Sequence, residues 1–201
     1  MLFGVQWYYW IILAVAIIVA IILWIKALKS GKARRERLKK EAAIWKRDYE
    51  LREKYSVLTE EKLNSTEETE LIHAVAMNIQ VALEKATDMT ECFNALPEPK
   101  KYIYALEYFD EDVKNNLSTF FKNNGEPLLS IVPHALNSIG ATKYIEHYGM
   151  LLPMYDPDSN TSVDSTVIAK ADEEFKIIYD SDELCRLSAK FILKNKQIFL
   201  S

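Results

Sequence analysis

The chain has 201 residues, enough for one globular domain with a short additional segment and too few for a multidomain protein. Its net charge of −4 conceals two opposed ends: residues 26–40 carry eight Lys or Arg against one Glu, whereas residues 41–201 carry 17 basic and 28 acidic residues, a net of −11. The two cysteines, Cys92 and Cys185, are too few for a disulfide framework, and we expect both to be reduced and buried.

Residues 7–25 form an apolar run without a charged side chain, long enough as a helix to cross the roughly 30 Å hydrocarbon core of a bilayer. Aromatic residues, which prefer the headgroup level, border the run. They are Trp7, Tyr8, Tyr9 and Trp10 at one end and Trp24 at the other. No positive side chain precedes the run and no small-residue cleavage site follows it, so we interpret residues 1–28 as an uncleaved, single-pass transmembrane anchor.

Basic residues follow the apolar run and set the expected orientation, because cytoplasmic flanks are enriched in Lys and Arg. They include Lys26, Lys29, Lys32, Arg34, Arg35 and Arg37. We therefore predict an inner-membrane protein whose N-terminus lies outside and whose C-terminal domain is cytoplasmic. The same cluster resembles a nucleic-acid-binding patch, but membrane topology explains it without a further assumption, and we expect no direct nucleic-acid binding.

Residues 29–64 are predicted to form a basic juxtamembrane helix or stalk. Leu38, Ala42, Trp45 and Tyr49 recur at helical spacing on an otherwise charged segment. This stripe is too short to argue for a coiled coil, so a homodimer through it is only one alternative to a helix that folds back on the domain or on lipid.

Residues 65–201 are predicted to be an acidic, all-helical domain. Ser65 and Glu68 resemble a capping box before a helix over about 66–87, and Pro97 indicates the start of another. Asp110 is expected to cap a helix that ends near 124–125. Further helices are predicted from Pro127 to Gly140, from Thr142, and over about 164–179 and 182–195.

No segment alternates polar and apolar residues over the length of a strand, and only 5 of 201 residues are Gly. The predicted fold class is therefore all-α: a single N-terminal transmembrane helix, a helical stalk and a globular bundle of about six to seven helices.

No catalytic arrangement is recognisable around the three histidines, His73, His134 and His147. We therefore expect no enzyme. The alternative is a hydrolase at the membrane surface that uses His134 or His147 with a neighbouring carboxylate.

Residues 156–164 partly match a calcium loop, because Asp156, Asp158, Asn160 and Asp164 occupy alternate oxygen-donor positions. The loop has Thr161 where Gly is required and Val167 where a bidentate Glu is required, so we interpret it as a solvated polar loop. There is no Gly-rich phosphate loop either, and we predict no metal and no cofactor.

The stretch from about residue 94 resembles a family of helical domains, mostly of unknown function, that is named after a bacterial DNA-mimic protein. Residues 94–98 are similar to the family's opening, and residues 135–141 match a later stretch. The central family motif reads Val-x-Asn-Gly-Gly-Phe-x-Gln-Phe-Phe-x-Asn. It corresponds to residues 113–123 of this chain, which lack one of the two glycines. The residues that we take as family positions are Val113, Asn115, Phe121 and Asn123 of this motif and Gly140 of the later stretch. The resemblance implies an all-helical, non-catalytic domain that pairs with itself.

Acidic residues provide the predicted partner-binding surface, since residues 65–201 hold 22 acidic and 12 basic residues. The groups are Asp110, Glu111, Asp112, Asp156, Asp158, Asp164, Asp172, Glu173 and Glu174. The leading hypothesis is a membrane-anchored, non-catalytic module that binds a protein with a basic surface. An alternative is a decoy that presents a DNA-like surface to a DNA-binding protein, and solubility alone would also explain the charge.

Overall fold

A computed structural model describes residues 38–39, 42–43, 46–47, 49–155 and 162–200. The chain divides into two units, Met1–Glu50 and Leu51–Ser201. In the first unit the described residues are helical and exposed, and Lys46 pairs with Glu50 one helical turn later. The predicted apolar run 7–25 and the basic residues up to Arg37 lie outside the described residues. Within the described residues, no helix combines the length and the apolar character needed to span a membrane.

The second unit is all-helical over its described residues, which confirms the predicted fold class for this part of the chain. Its first helices are α1 (Glu60–Ser65), α2 (Glu68–Lys85), α3 (Met89–Ala95), α4 (Glu98–Val113) and α5 (Leu117–Asn123). They are followed by α6 (Leu128–Ile139), a 3₁₀ turn (Thr142–Tyr144), α7 (Ile145–Tyr155), α8 (Ser165–Ile178), α9 (Ser181–Lys194) and α10 (Lys196–Phe199).

The hydrophobic core is centred on α4, which packs against α2, α5, α6 and α9. Phe109 of α4 lies fully buried, with its ring 5.4 Å from that of Phe120 and 6.0 Å from that of Phe175. The aromatic side chains of the domain therefore pack in the core, which accounts for their number without a base-stacking surface.

Part of the predicted stalk belongs to this second unit. Residues 51–55 end a helix, and Tyr55 and Leu58 lie in the core. The buried amide of Asn78 on α2 fixes this segment by donating hydrogen bonds to the carbonyl oxygens of Tyr55, at 3.0 Å, and Ser56, at 3.1 Å. The compact unit therefore begins before residue 65.

Several helix ends follow the sequence signals. Pro97 and Pro127 precede α4 and α6, and Gly140 ends α6 with a left-handed φ of 86°. α8 and α9 fall within two residues of their predicted bounds. The short helices α1 and α3 were not predicted, because six or seven residues are too few for a periodic pattern to stand out.

Two predicted caps are wrong. Ser65 ends α1 instead of capping α2, whose first residue follows Glu67, because α1 ends only two residues before that cap position. Asp110 lies inside the last turn of α4 instead of at the start of the next helix, and that helix, α5, begins after Asn116. The acidic run 110–112 therefore lies at a helix C-terminus, where the macrodipole disfavours negative charge.

Candidate functional site

The segment that carries the family motif forms a tight corner between α4 and α5. Val113 and Phe121 are buried core residues, whereas Asn115 lies exposed in the turn. Asn123 and the neighbouring Asn124 each donate an amide hydrogen bond to one carboxylate oxygen of Asp112, at 2.7 and 2.6 Å. These hydrogen bonds hold the end of α5 against the end of α4.

Asp110 is buried and serves an internal network. Its carboxylate accepts hydrogen bonds from the hydroxyls of Tyr179, at 2.7 Å, and Ser181, at 2.9 Å, and Lys114 pairs with it at 3.2 Å. These donors join the end of α4 to the connection between α8 and α9. They also offset the unfavourable position of the carboxylate at a helix C-terminus. Asp110 is therefore not part of an exposed binding surface, contrary to its place in the predicted acidic set.

Beside this network lies a partly buried polar cluster. The imidazole Nδ1 of His73 lies 2.6 Å from a carboxylate oxygen of Glu107. Glu111 adjoins this cluster; the residue as a whole is exposed, but partial burial of its carboxyl group, and then repulsion by Glu107, raises its pKa. Burial, followed by the charges of Asp110 and Glu107, raises the pKa of the Cys185 thiol to about 11, so this cysteine is a protonated core thiol at neutral pH.

An open pocket of about 550 Å³ adjoins the α4–α5 corner. Its apolar lining comes from Leu83, Met89, Phe93, Tyr104, Pro127 and Leu128. Its polar lining comes from Thr90, Asn94, Asn123, Asn124 and Glu126. The pocket therefore lies where α2, α3 and α4 meet the loop after α5, and its size suits a side chain or a small ligand.

Sequence reasoning missed this pocket. The sequence suggested only a turn at 124–125, and Leu83 and Tyr104 are separated from that turn by at least twenty residues. The one available signal was the run of polar and turn-forming residues over 122–127, interrupting two apolar helices.

The sequence model of the family described as DMP19-like protein matches residues 94–198, just over half of the chain. The chain belongs to the DMP19-like protein family. This confirms the resemblance carried by the 113–123 motif and by Gly140. No curated protein and no solved structure matches the chain.

In this DMP19-like protein the predicted acidic residues differ in their surroundings. Glu111, Asp164 and Glu173 are exposed, and Glu174 is half-buried. Asp112 and Asp172 are tied to neighbouring helices: the carboxylate of Asp172 accepts hydrogen bonds from the amide and the hydroxyl of Ser118, both at 2.7 Å, and so caps α5. Asp156 and Asp158 lie outside the described residues.

Asp164 has a local role as the N-cap of α8. Its carboxylate accepts a hydrogen bond from the backbone amide of Thr166, at 2.8 Å, and one from the Thr166 hydroxyl, at 2.7 Å. These bonds hold the pKa of Asp164 below its usual value. The rest of the partial calcium loop falls in the gap at 156–161, and the described part of the chain contains no group of His, Cys, Asp and Glu residues able to hold a metal ion.

The remaining histidines of the DMP19-like domain lie on different helices. His134 is exposed on α6, and its ring makes no hydrogen bond to a described residue. His147 on α7 is half-buried, with Nε2 3.7 Å from a carboxylate oxygen of Glu174 and with Nδ1 buried and without a hydrogen bond to a described residue. No Ser, Thr or Cys side chain of the described residues is hydrogen-bonded to either ring, so a nucleophile and base for the hydrolase alternative are not brought together there.

The two cysteines of this family member are both free thiols, as predicted. Cys185 is buried, but Cys92 on α3 is only half-buried, which corrects the expectation for that residue. α3 contributes a single fully packed side chain, Phe93, to the core, so its remaining side chains stay near solvent.

Proposed function

We propose that this DMP19-like protein is a membrane-anchored, non-catalytic module whose acidic helical domain binds a protein partner through that partner's basic surface. The observation that carries the proposal is a set of exposed carboxylates without an ion-pair partner among the described residues. Glu111, Asp164 and Glu173 form no ion pair with Lys or Arg in the described part of the chain. A surface of this kind attracts basic partners and speeds their encounter at low ionic strength.

The membrane anchor is supported by the sequence alone. The uncharged run 7–25, its aromatic borders and the basic residues 26–40 together favour a single span with the acidic domain in the cytoplasm. A membrane-held domain meets only partners that come to the membrane, which restricts the partner to membrane-associated or membrane-visiting proteins.

The test uses two charge variants of the full-length chain, held in mild detergent. In one, Glu111→Gln and Glu173→Gln remove two exposed carboxylates; in the other, Lys176→Gln and Lys190→Gln remove two exposed cations that form no ion pair with a described residue. Cross-linking in the native membrane identifies the partner, and capture of that partner without cross-linker by each detergent-held variant, over a salt series, measures the binding. Binding should weaken as the salt concentration rises. It should also weaken in the variant that lacks the two carboxylates and strengthen slightly in the variant that lacks the two lysines.

The two variants change the net charge by the same amount in opposite directions. A general loss of folding would lower partner binding in both of them, whereas an electrostatic effect changes binding in opposite directions. If no captured protein shows salt-sensitive binding, or if both pairs behave alike, the binding role is contradicted. A reporter fused to the C-terminus that is active only outside the cytoplasm would contradict the orientation.

A second candidate function is a decoy for a DNA-binding protein, favoured by the family membership and by the net charge of −10 over residues 65–201. The full-length protein would then compete with duplex DNA for a basic DNA-binding protein at low salt, and Glu111→Gln with Glu173→Gln would reduce the competition. If DNA does not displace the captured partner, the partner binds at a surface other than its DNA-binding one, and the decoy function is rejected.

A further inference from the structure

The charge in the pocket beside the α4–α5 corner is negative only. Glu126 is the single charged residue among its lining residues, and no Lys, Arg or His of the described chain lines it. The carboxylate of Glu126 accepts a hydrogen bond from the Ser130 hydroxyl, at 2.7 Å, through one oxygen, Oε2. Its other oxygen, Oε1, therefore keeps its acceptor capacity.

The asparagines of the pocket also present acceptors. The amide nitrogens of Asn123 and Asn124 both donate to Asp112, and that of Asn124 donates in addition to the backbone carbonyl of Phe120. The two N–H donors of Asn124 are therefore both used, and Asn123 has used one of its two, so each side chain keeps its carbonyl oxygen as an acceptor. Asp112 thus engages N–H donors of both side chains and leaves their carbonyl oxygens as acceptors.

The apolar part of the pocket is suited to the stem and the planar face of a long cationic side chain. The rings of Phe93 and Tyr104 lie with their centroids 5.6 Å apart. The Tyr104 hydroxyl donates a hydrogen bond to the side-chain oxygen of Gln80, at 2.5 Å. This bond fixes the ring of Tyr104 and already uses the donor of its hydroxyl. A guanidinium group stacks favourably on such rings, and its alkyl stem packs against Leu83 or Leu128.

We infer that this pocket binds the side chain of an arginine that projects from the basic partner. A guanidinium has five donors in one plane and no acceptor, which complements a site that offers one carboxylate and several amide oxygens. Lysine, with a compact and strongly hydrated ammonium, fits the apolar and planar parts less well. The inference rests on the proposed function, since the arginine would come from the protein partner.

The test measures binding of Nα-acetyl-arginine methylamide to the full-length protein in detergent, with selective ¹⁵N labelling of asparagine. The side-chain amide signals of Asn94, Asn123 and Asn124 should shift in a saturable manner. The neutral isostere Nα-acetyl-citrulline methylamide serves as the matched probe and should produce no saturable shift, and the lysine analogue should bind more weakly than arginine.

Three variants refine the test. Glu126→Gln removes the charge in the pocket and should weaken arginine binding about five- to tenfold. Asn94→Asp adds a carboxylate at an exposed lining position and should tighten it, an effect that partial unfolding cannot imitate. Glu146→Gln, which removes an exposed carboxylate on α7 outside the proposed binding surface, should leave it unchanged.

Equal shifts with arginine and citrulline, equal affinity for arginine and lysine, or unmoved Asn123 and Asn124 signals would overturn the inference. The partner-capture experiment keeps the two proposals separate. Salt-sensitive capture that is insensitive to Glu126→Gln leaves the proposed function standing and removes the pocket from it. Saturable arginine binding without any captured partner would instead uphold the pocket and contradict the proposed function.

Discussion

Asp110, Glu111 and Asp112 are consecutive carboxylates with three different surroundings. Asp110 is buried and accepts bonds from α8–α9 residues, Asp112 holds two asparagine amides, and Glu111 remains exposed. Of the three, Glu111 is the one whose carboxylate can meet a partner. Neighbouring acidic residues therefore differ in role because successive positions of a helix face different directions.

Replacing Asp110 with Ala is expected to destabilise the fold by about 2–4 kcal/mol, because Tyr179, Ser181 and Lys114 lose a common buried acceptor. Urea unfolding followed by circular dichroism measures the change. Glu173→Ala, an exposed carboxylate, is the control and should shift the free energy of unfolding by no more than about 0.5 kcal/mol. Equal effects of the two substitutions would show that the Asp110 network is not stabilising.

Glu111 provides a pH-dependent prediction. Its pKa is raised in the folded state, by burial and by Glu107, so its ionised form is less favourable in the folded than in the unfolded chain. This loss of folding free energy appears as the pH rises above the pKa that Glu111 has in the unfolded chain, and it is complete above the pKa that Glu111 has in the folded protein. Glu111→Gln should therefore stabilise the protein at pH 7, by less than about 1 kcal/mol since the side chain is solvent-accessible.

The gain from Glu111→Gln should vanish below about pH 4, where both states hold a protonated Glu111. Unfolding curves at pH 7 and at low pH test this. Glu146→Gln on α7, an exposed carboxylate with no hydrogen bond or ion pair to a described residue, should have little effect at either pH. A gain for Glu111→Gln that is equally large at low pH would contradict the electrostatic explanation.

At the scale of elements, helix ends depend on both local and distant residues. Asp88, Asp164 and Asp180 cap α3, α8 and α9 through hydrogen bonds to backbone amides two or three residues ahead. The start of α5 is capped instead by Asp172, which lies 54 residues from Ser118 in sequence. Local caps are readable from sequence, whereas a cap from another helix depends on how the two helices pack.

Two glycines give opposite predictions for the same substitution. Gly140 ends α6 with a φ of 86°, which an L-residue adopts at a cost, so Gly140→Ala should destabilise by about 1 kcal/mol. Gly149 lies within α7, and an added Cβ there would meet no atom within 4 Å beyond its chain neighbours and the backbone of its own helix, so Gly149→Ala should stabilise by roughly 0.5–1 kcal/mol. Thermal unfolding of both variants measures the difference, and changes of equal sign would refute the assignment of the α6 end.

The candidate pocket illustrates what element-level prediction cannot reach. The ends of α5 and α6 near residues 124–127 follow from Asn, Gly and Pro signals in the sequence. The pocket also needs Leu83 and Tyr104 beside that loop, and this depends on α2 and α4 packing side by side. No residue pattern along the chain encodes that proximity directly.

Over the complete chain, charge is unevenly distributed. Residues 26–40 near the N-terminus are basic, whereas the domain of residues 65–201 has a net charge of −10. Full-length protein is expected to sediment with membranes and to resist washing with high salt or carbonate, because an apolar span cannot be displaced by ionic competition. Deletion of residues 1–25 should release the protein into the soluble fraction.

The salt wash serves as the internal control of this fractionation, since residues 26–40 could adsorb to anionic lipid by charge alone. Release of the intact chain by salt would show surface adsorption and contradict a transmembrane span. Retention of the deleted form after the same wash would show that another part of the chain holds the membrane.

Sequence alone predicts the all-α class of the domain, the family and the acidic balance. It also predicts the helix ends marked by Pro97, Pro127 and Gly140, because backbone dihedral preferences and hydrophobic periodicity act within a few residues. Only folding reveals that Asp110 is buried, that Asp172 caps α5 and that Asn123 lines a pocket. Those properties arise from residues tens of positions apart, and burial and hydrogen bonding depend on distance in space instead of distance along the chain.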